Sequence, residues 1–378
     1  MSLSAGQNMA PGERVVRCLQ GRPIDRVPFG VGIGWFPWGQ TLERWRSETG
    51  DASLDPGVTL GYDRSFASPT VHAGFLPAFE PEVLEARDGF VIHRDPLGII
   101  KRDRADGLSM PEFMEHPVRG PADWLKLKDE RLDPETPGRL AEDLAAFASR
   151  VHQTGEAVQV GAFPYGVFGT PRDLLGVERL LTSFYDEPEM VADMMQHLTG
   201  LWLSVWDRIA DETPIDHIHI WEDMSGRQGS LISPRMVERF MMPCYDRIAE
   251  FARSRNVPIV SVDTDGDCSR LVPIFMRHGI NMMFPFEVQA GNDIRKVRRD
   301  YPRLGIIGGL DKRVETLTGP AGAAQVQLAR DMAAAGRYVP GFDHLIPPDV
   351  PWDAFRDIAE AIRDVCLTTK PNPTAAAT

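Results

Sequence analysis

Short apolar runs alternate with longer amphipathic segments along the chain from about residue 139 onwards. The apolar runs include AVQVGAF, HIHI, IVSVD, NMMFPFE, LGIIGGLD and RYVPGF, and Gly or Pro residues bound most of them. Runs of this length and composition are typical of buried strands, and the amphipathic segments between them are typical of helices. Strictly alternating strands and helices predict a parallel sheet, because parallel neighbours need a crossover connection.

The number of these units favours an α/β fold that closes into a (β/α)8 TIM barrel over an open doubly wound sheet. Neither GxGxxG nor GxxxxGK[ST] occurs in the sequence, which removes the strongest reason to expect a nucleotide-binding open sheet. The pattern therefore predicts consecutive parallel strands at residues 217–222, 259–263, 282–287, 305–310 and 338–342.

The N-terminal part of the chain predicts helical and β-hairpin additions to the barrel. PGERVVRCLQG has the pattern of a short helix, RVPFGVG begins as a strand, and residues 88–103 read as a β-hairpin around Asp-Pro-Leu-Gly. Ser233 is the expected N-cap of a long helix that follows HIHI. We expect a single domain over residues 11–370, with a flexible N-terminus at 1–10 and a flexible tail at 371–378.

Composition narrows the classes of function. The chain has 378 residues, of which 43% are hydrophobic and 25% charged, as in ordinary soluble globular proteins. Its formal net charge of −13 argues against a nucleic-acid partner, because phosphate binding needs clustered Lys and Arg. The four scattered cysteines suit a reducing compartment, and no apolar stretch approaches the length of a membrane span. These features predict a cytoplasmic enzyme without membrane contact, and they leave a homodimer open.

Acidic and imidazole side chains follow several of the predicted strands. Asp263 and Asp265 end IVSVDTD, Glu287 ends NMMFPFE, and His344 follows RYVPGFD. Residues i and i+2 of an extended chain point the same way, so the two aspartates can converge on one ion or substrate. Because the carboxyl ends of parallel strands meet at one mouth of a barrel, these groups predict a site that binds a metal or moves protons.

The same acidic residues also have a structural interpretation, which remains an alternative to the functional one. The Asp263 and Asp265 segment also fits a polar loop in which Asp267 caps the next helix. Glu222 and Asp223 in WEDMSG follow a strand in the same way. For that pair we expect one residue to be structural and the other functional.

Three further groups of residues have both a structural and a functional interpretation. Asp311 ends LGIIGGLD, and the adjacent Lys312 or Arg313 either pairs with it or binds an anionic substrate. His217 and His219 share one strand face, where a place in the barrel core is favoured over metal ligation. The aromatic residues at the first strand line a substrate pocket or belong to the core; they are Trp35, Phe36 and Trp38.

Several motifs resemble those of the uroporphyrinogen decarboxylase superfamily. ERVVRCLQGRPIDRVPFG is similar to its opening segment, and WEDMSGRQGSLISPRMVERFMMPCYDRI is similar to its central segment. GGLDKR and PGFDHLIPPDVPWDAF resemble its C-terminal signatures. The resemblance, which runs from about residue 12 to 368, implies a (β/α)8 barrel with its site at the carboxyl ends of the strands. It also implies either uroporphyrinogen decarboxylation or methyl transfer with corrinoid proteins.

Departures from the superfamily pattern separate these two activities. GIGWFPWGQ stands where the decarboxylases carry an arginine-rich loop, and a many-carboxylate tetrapyrrole cannot be buried without matched cations. The related zinc methyltransferases use His-x-Cys, a Glu and a late Cys, and here Asp263, Asp265, Glu287 and the Asp343-His344 pair fall at matching places. The resemblance thus implies Zn²⁺ or another divalent metal on Asp263, Asp265, Glu287 and His344.

The resulting hypothesis is a methyltransferase that demethylates a small O-methyl compound, such as an aromatic ether, or a similar amine or thioether. A separate corrinoid protein or tetrahydrofolate accepts the methyl group, because no cobalamin-binding domain is recognisable in the chain. The metal acts as a Lewis acid on the heteroatom, and His344 is the alternative proton donor. The other catalytic candidates are Asp223 and Asp311, and the substrate-binding candidates are Trp35, Phe36, Trp38, Glu222 and Arg313.

Two alternatives remain beside this hypothesis. One is a decarboxylase of a smaller acid, in which Asp311 or Asp263 protonates the carbanion-like centre and Arg313 holds a carboxylate. The other is a non-catalytic protein that binds a ligand or a corrinoid partner. A metal analysis and a substrate screen separate these functions.

Overall fold

The computed structural model describes residues 8–105 and 111–371. The strands in these ranges, in chain order, are β1 (Phe66–Ala67), β2 (Glu82–Arg87), β3 (Phe90–Arg94), β4 (Ile100–Arg104), β5 (Glu112–Glu115), β6 (Ala157–Gly161), β7 (His217–Trp221), β8 (Ser225–Gly226), β9 (Gly229–Ser230), β10 (Ile259–Thr264), β11 (Met282–Pro285), β12 (Gly305–Ile307) and β13 (Tyr338–Val339). Flexible ends were predicted at 1–10 and 371–378, and residues 1–7 and 372–378 of them lie outside the described residues.

Helices connect the strands and cover the outside of the sheet. The α-helices are α1 (Pro11–Leu19), α2 (Gly39–Thr49), α3 (Pro56–Leu60), α4 (Pro121–Arg131), α5 (Leu144–Thr154), α6 (Gly169–Leu175), α7 (Val177–Asp186), α8 (Pro188–Glu212), α9 (Pro234–Met236), α10 (Met242–Ser254), α11 (Val272–Arg277), α12 (Ile294–Asp300), α13 (Gly319–Ala335) and α14 (Trp352–Thr368). No helix among the described residues is long and apolar enough to cross a membrane.

One seven-stranded parallel sheet forms the centre of the fold, in the order β1-β6-β7-β10-β11-β12-β13. The last five strands are the five predicted from the apolar runs, in the predicted order. Each crossover contains at least one helix, as parallel neighbours require. The sheet curls into a TIM-barrel-like arrangement, so the predicted fold class is confirmed. The predicted hairpin at 88–103 is also present as β3 and β4, within an antiparallel sheet of order β2-β3-β4-β5.

Helix α1 closes the amino-terminal end of the barrel. Its Leu19 is buried in a cluster with the apolar side chains that begin or line the barrel strands, including Ala157, Ile259, Met282, Ile307 and Val339. Gly12 lies so close to the start of β6 that a Cβ atom there would be 2.2 Å from the Ala157 nitrogen. Only glycine fits this contact, so α1 is seated directly against the sheet and the opposite end of the barrel is left for the site.

Two sequence-based predictions were wrong in detail. The segment 27–32 is not a strand, because Gly30 and Gly32 adopt φ angles of 75° and 96°, which are incompatible with extended β-pairing. The sheet edge is instead formed by β1, which the pattern did not predict. The helix capped by Ser233 is interrupted by a π-helical segment, Val237–Met241, immediately before Pro243, which cannot donate a backbone hydrogen bond.

Candidate active site

The predicted acidic residues meet at the carboxyl-terminal mouth of the barrel. Asp263 lies at the end of β10, in register with Trp221 of β7 on one side and Phe284 of β11 on the other. Asp265 follows on the same loop, and the His344 Nε2 atom lies 3.5 Å from its Oδ2 atom. The geometry thus brings together side chains that are 79 positions apart in the chain, from β10 and from the loop after β13.

A column of polar side chains continues below Asp263 into the barrel. The Ser261 Oγ atom is 2.7 Å from His217 Nε2 and 3.0 Å from His219 Nδ1. The His219 Nε2 atom is 4.0 Å from Asp263 Oδ2. Burial lowers the pKa of both histidines, so both are neutral at pH 7. These rings belong to the barrel core, and they give Asp263 no positive charge.

Asp263 and Asp265 form a carboxyl pair that holds protons. Burial raises the pKa of Asp263 well above its ordinary value, and the negative charges of Asp265 and Asp223 raise it further. Burial also raises the pKa of Asp265 to about 7, with repulsion from Glu287 as the next cause. Desolvation and like charges both disfavour the ionised form. At neutral pH the mouth of the barrel therefore contains a carboxylic acid able to donate a proton.

Lys312 supplies the cation of the cluster. Its Nζ atom lies 3.1 Å from Glu287 Oε1 and 3.7 Å from Asp343 Oδ1. Burial opposes ionisation of Glu287, but the Gly266 N–H group and Lys312 together lower its pKa. Asp343 is fully buried and accepts hydrogen bonds from the backbone N–H groups of Val288 and Lys312. Glu287 is thus a carboxylate with a lysine partner, in contrast to the protonated aspartates.

The comparisons with known proteins agree with this architecture. The family model described as uroporphyrinogen decarboxylase (URO-D) matches residues 101–365, which is more than half of the chain. The chain belongs to the URO-D family. This URO-D family member is similar in structure to a methyltransferase from Methanosarcina mazei, with a TM-score of 0.58 and 16% sequence identity. The match covers 94% of this chain and 99% of that one. At this identity the likeness shows the fold. No curated protein matches the chain in sequence.

The arrangement of donors in this URO-D family member does not fit the zinc site that the sequence predicted. Zinc needs about four ligands near 2 Å, and no group of three or more His, Cys, Asp or Glu side chains is gathered for a metal within 8–105 and 111–371. Glu287 already accepts hydrogen bonds from Gly266 and Lys312. The side chains at this mouth are therefore available as acids and bases.

Glu222 is a structural residue in the URO-D family member, so its predicted substrate contact is wrong. The side chain is fully buried. Its carboxyl oxygens accept hydrogen bonds from the N–H groups of Val167, Phe168 and Gly169 at 2.6–3.1 Å, and from the Tyr245 hydroxyl. Those backbone groups lead into α6, so Glu222 holds the loop after β6 in place. Burial raises its pKa to about 7.

Asp223, the neighbour of Glu222, lies in the open part of the mouth. Its Oδ2 atom is 2.5 Å from Arg172 Nη1, and the same guanidinium lies 4.8 Å above the Trp221 ring. Sequence reasoning missed Arg172, because it lies in α6, whose place beside the mouth depends on the anchored loop. The expectation that one member of the pair is structural matches Glu222, and Asp223 stays a candidate for catalysis.

Asp311 and Arg313 bind each other. The Arg313 Nη2 atom is 2.6 Å from Asp311 Oδ2, and Arg313 Nη1 is 2.8 Å from Glu315 Oε1. Asp311 also accepts the Arg313 N–H group, while its backbone is bonded to the Gln325 side chain. These contacts make Asp311 a loop anchor and show the ion pair that the sequence left open as one alternative. The Arg313 side chain is still 41% exposed, so its contact with an anionic substrate and catalysis by Asp311 stay predictions. Lys312, between them in the chain, is the residue that faces the cluster.

The three aromatic candidates separate into one core residue and two residues at the mouth. Trp35 is fully buried, packs against Phe29, Tyr62 and Phe342, and donates its indole N–H to the Pro340 carbonyl. The predicted substrate contact of Trp35 is therefore wrong.

Phe36 and Trp38 stay accessible at the mouth. They are 52% and 39% exposed, and Trp38 stacks on His344 with ring centres 6.0 Å apart. They remain candidates for substrate contact.

Proposed function

We propose that this chain is a methyltransferase that removes the methyl group from a small O-methyl compound, or from a similar amine or thioether. The observation that carries the proposal is the position of the Asp263 carboxyl group, which ends β10 at the mouth of the barrel in register with Trp221 and Phe284 and whose pKa burial raises well above its ordinary value. Cleavage of an ether between oxygen and methyl leaves a strongly basic oxygen, and a positioned acid removes that barrier. A corrinoid on a separate protein, or tetrahydrofolate, is the proposed acceptor.

The acceptor, when bound, supplies the nucleophile that attacks the methyl carbon. As the new bond to carbon forms, the oxygen–carbon bond breaks and its electron pair stays on oxygen. Asp263 donates its proton to that oxygen, so the product leaves as a neutral hydroxyl compound and the carboxylate remains. Asp265 and His344 connect Asp263 to solvent and return the proton, since they lie 3.5 Å apart on the outer side of the cluster. His344 is the alternative direct donor.

Lys312 positions the acid pair electrostatically. Its ammonium group neutralises Glu287 and lies near Asp343, which limits the negative charge that Asp263 meets once it has lost its proton. A charge partner of this kind stabilises a carboxylate that forms only during the reaction. The protein itself thereby supplies the positive charge at the mouth.

Decarboxylation of a smaller acid is the second candidate. A buried, protonated aspartate also suits the protonation of a carbanion, and the matching family model bears the description of a decarboxylase. Arg313 and Lys312 are both ion-paired, with Asp311 and Glu287 respectively, so a substrate carboxylate would displace one of these partners. A binding protein for a ligand or a corrinoid partner is the non-catalytic alternative.

Incubation of the purified protein with methoxybenzene and chemically reduced cobalamin tests the proposal. We expect phenol and methylated cobalamin in equal amounts, with tetrahydrofolate tried as the acceptor in a parallel reaction. We expect the activity to survive treatment with EDTA, because no group of three or more His, Cys, Asp or Glu side chains is gathered for a metal within the described residues. If the wild-type protein contains stoichiometric zinc and the Asp263→Ala/Asp265→Ala variant does not, the mouth of the barrel is a metal site after all.

The remaining outcomes of the same assays separate the alternatives. Release of carbon dioxide from small aromatic acids, without methyl transfer, would contradict the proposal and support the decarboxylase. Tight binding of a corrinoid protein without any turnover would support the non-catalytic function.

The pH dependence of the reaction follows from the raised pKa of Asp265. Its value of about 7 means that the proton is present below pH 7 and lost above it. We expect kcat to be level below pH 7 and to fall about tenfold per pH unit above it, because Asp265 returns the proton to Asp263 after each methyl transfer. The Asp265→Asn variant should lack this limb between pH 6 and 9. An unchanged profile in the variant would show that Asp265 is not in the proton path.

A further inference from the structure

Two histidines of β7 lie in the interior of the barrel, where apolar side chains are usual. His217 and His219 are two positions apart, so they face the same side of the sheet, whereas Ile218 and Ile220 pack in the main apolar core. Both histidines are buried, and burial lowers the pKa of each, so both rings are neutral near neutral pH. A neutral polar ring costs free energy in a core unless its nitrogens are hydrogen-bonded, so the partners of these nitrogens show what the rings do.

Ser261 of β10 links the two rings. Its Oγ atom lies 2.7 Å from His217 Nε2 and 3.0 Å from His219 Nδ1, and the serine is fully buried. A hydroxyl group has one proton, so it donates to one ring and accepts from the other. The hydrogen bonds therefore run in one direction through the three residues, and that direction decides which nitrogen of His219 carries a proton. We call these three residues the His–Ser–His column.

The other nitrogen of His217 selects the direction of these bonds. Its Nδ1 atom is buried and has no hydrogen-bond partner among the described residues, and its ring packs against Phe66 with ring centres 4.9 Å apart. A proton on Nδ1 would leave a buried N–H group without an acceptor, which folded proteins tolerate less well than an acceptor without a donor. The proton of His217 therefore belongs on Nε2, which donates to Ser261. Ser261 in turn donates to Nδ1 of His219, so the proton of His219 is on its Nε2 atom.

The His–Ser–His column ends at Asp263. The Nε2 atom of His219 lies 4.0 Å from Asp263 Oδ2, which is about 1 Å beyond the length of a hydrogen bond. Phe284, which is in register with Asp263, stacks on the His219 ring with ring centres 5.0 Å apart. Ser261 and Phe284 thus hold the His219 ring from two sides. A small rotation of the Asp263 carboxyl group is the movement that closes the remaining gap.

We propose that the His–Ser–His column fixes His219 as the tautomer with its proton on Nε2, and that this N–H group positions the Asp263 carboxyl group at the mouth. The part of Asp263 in the reaction rests on the proposed function, whereas the tautomer of His219 follows from the column itself. His219 and Ser261 are positioning residues, since both act through Asp263. The N–H group of His219 also stabilises the carboxylate that remains once Asp263 has given up its proton, because hydrogen bonds to ions are stronger than those between neutral groups.

Heteronuclear NMR of the full-length protein with isotope-labelled histidine tests the tautomer. Couplings between the ring nitrogens and the carbon-bound ring protons identify the protonated nitrogen, and the His219 signals are those that disappear in His219→Gln. We expect the proton of His219 on Nε2 in the wild type. In Ser261→Ala the Nδ1 atom loses its donor, so the two tautomers should become mixed. Ser183→Ala, which removes a buried hydroxyl group from α7, is the matched control and should leave the His219 signals unchanged. A wild-type proton on Nδ1 of His219 would overturn the proposal.

A second NMR measurement tests the contact with Asp263 without any substrate. Asparagine at this position alters the group that faces the His219 Nε2 proton, so Asp263→Asn should shift the resonance of that proton. The same resonance in wild type and Asp263→Asn would overturn the positioning role.

Kinetics of methyl transfer separate a positioning role of His219 from a purely structural one. Glutamine keeps an N–H group near the place of Nε2, whereas leucine has none. We expect His219→Leu to lower kcat about tenfold with KM unchanged, as for the loss of one hydrogen bond, and His219→Gln to retain kcat within about threefold. Equal losses in the two variants would overturn the positioning role. The expected NMR results without any methyl transfer by the wild type would leave the column and its contact with Asp263 standing and overturn the proposed reaction.

Discussion

Replacement of Asp263 by asparagine is expected to lower kcat/KM by about 10²- to 10⁴-fold, the usual contribution of a positioned general acid. Asparagine has nearly the shape of a protonated aspartate but has no acidic proton to donate. Because burial already keeps Asp263 uncharged, the substitution introduces no new charge into the mouth and should preserve the fold. The loss should appear in kcat more than in KM, since the proton moves only as the ether bond breaks.

Steady-state kinetics of methyl transfer, with thermal unfolding as the check on folding, measure this effect. Asp267→Asn is the matched control, because Asp267 lies four residues later on the same loop and its Oδ1 atom only accepts the Ser269 N–H group. The control should retain its activity within a few-fold. If a folded Asp263→Asn enzyme keeps most of the wild-type rate, Asp263 is not the proton donor and His344 becomes the candidate.

Replacement of Glu222 by leucine is expected to lower the free energy of unfolding by about 3–5 kcal/mol. The substitution leaves the N–H groups of Val167, Phe168 and Gly169 without acceptors in a buried place. Each unsatisfied buried donor costs about 1–3 kcal/mol. The loop after β6 would loosen, and with it the position of Arg172 at the mouth of the barrel.

Denaturant unfolding of wild type, Glu222→Leu and Glu222→Gln measures this cost. Glutamine keeps a carbonyl oxygen that accepts hydrogen bonds, so Glu222→Gln should lose less stability than Glu222→Leu.

Glu222→Gln should also change how the free energy of unfolding depends on pH. The pKa of Glu222 is raised to about 7 by burial, so its proton is held in the folded state while the unfolded chain ionises near pH 4.5. Wild-type stability should therefore fall as pH rises from about 4.5 to about 7, and less so in Glu222→Gln. Equal stability of all three proteins would refute the anchoring role.

The pattern of apolar runs was enough to predict the fold class and the end of the barrel at which the acidic residues lie. Five apolar runs separated by amphipathic segments specify buried strands with crossover helices, and this local pattern survives in the structure as β7, β10, β11, β12 and β13. The acidic residues directly after those runs had to meet at one end of the sheet, because parallel strands all end on the same side. Asp263, Asp265, Glu287 and His344 lie there, and no conformational detail was needed to predict it.

The environment of each charged residue, in contrast, depends on packing that the sequence pattern does not reveal. Glu222 and Asp223 are adjacent and look alike in sequence, yet one is enclosed by the loop after β6 and the other pairs with Arg172. Likewise Arg313 turns to Asp311, while Lys312 reaches Glu287 from the next position. Burial and the distance between charges set the protonation of each group, and both depend on packing between elements far apart in the chain. For that reason the sequence located the acid cluster, whereas the fold determined which members hold a proton, which carry charge and which only support the loops.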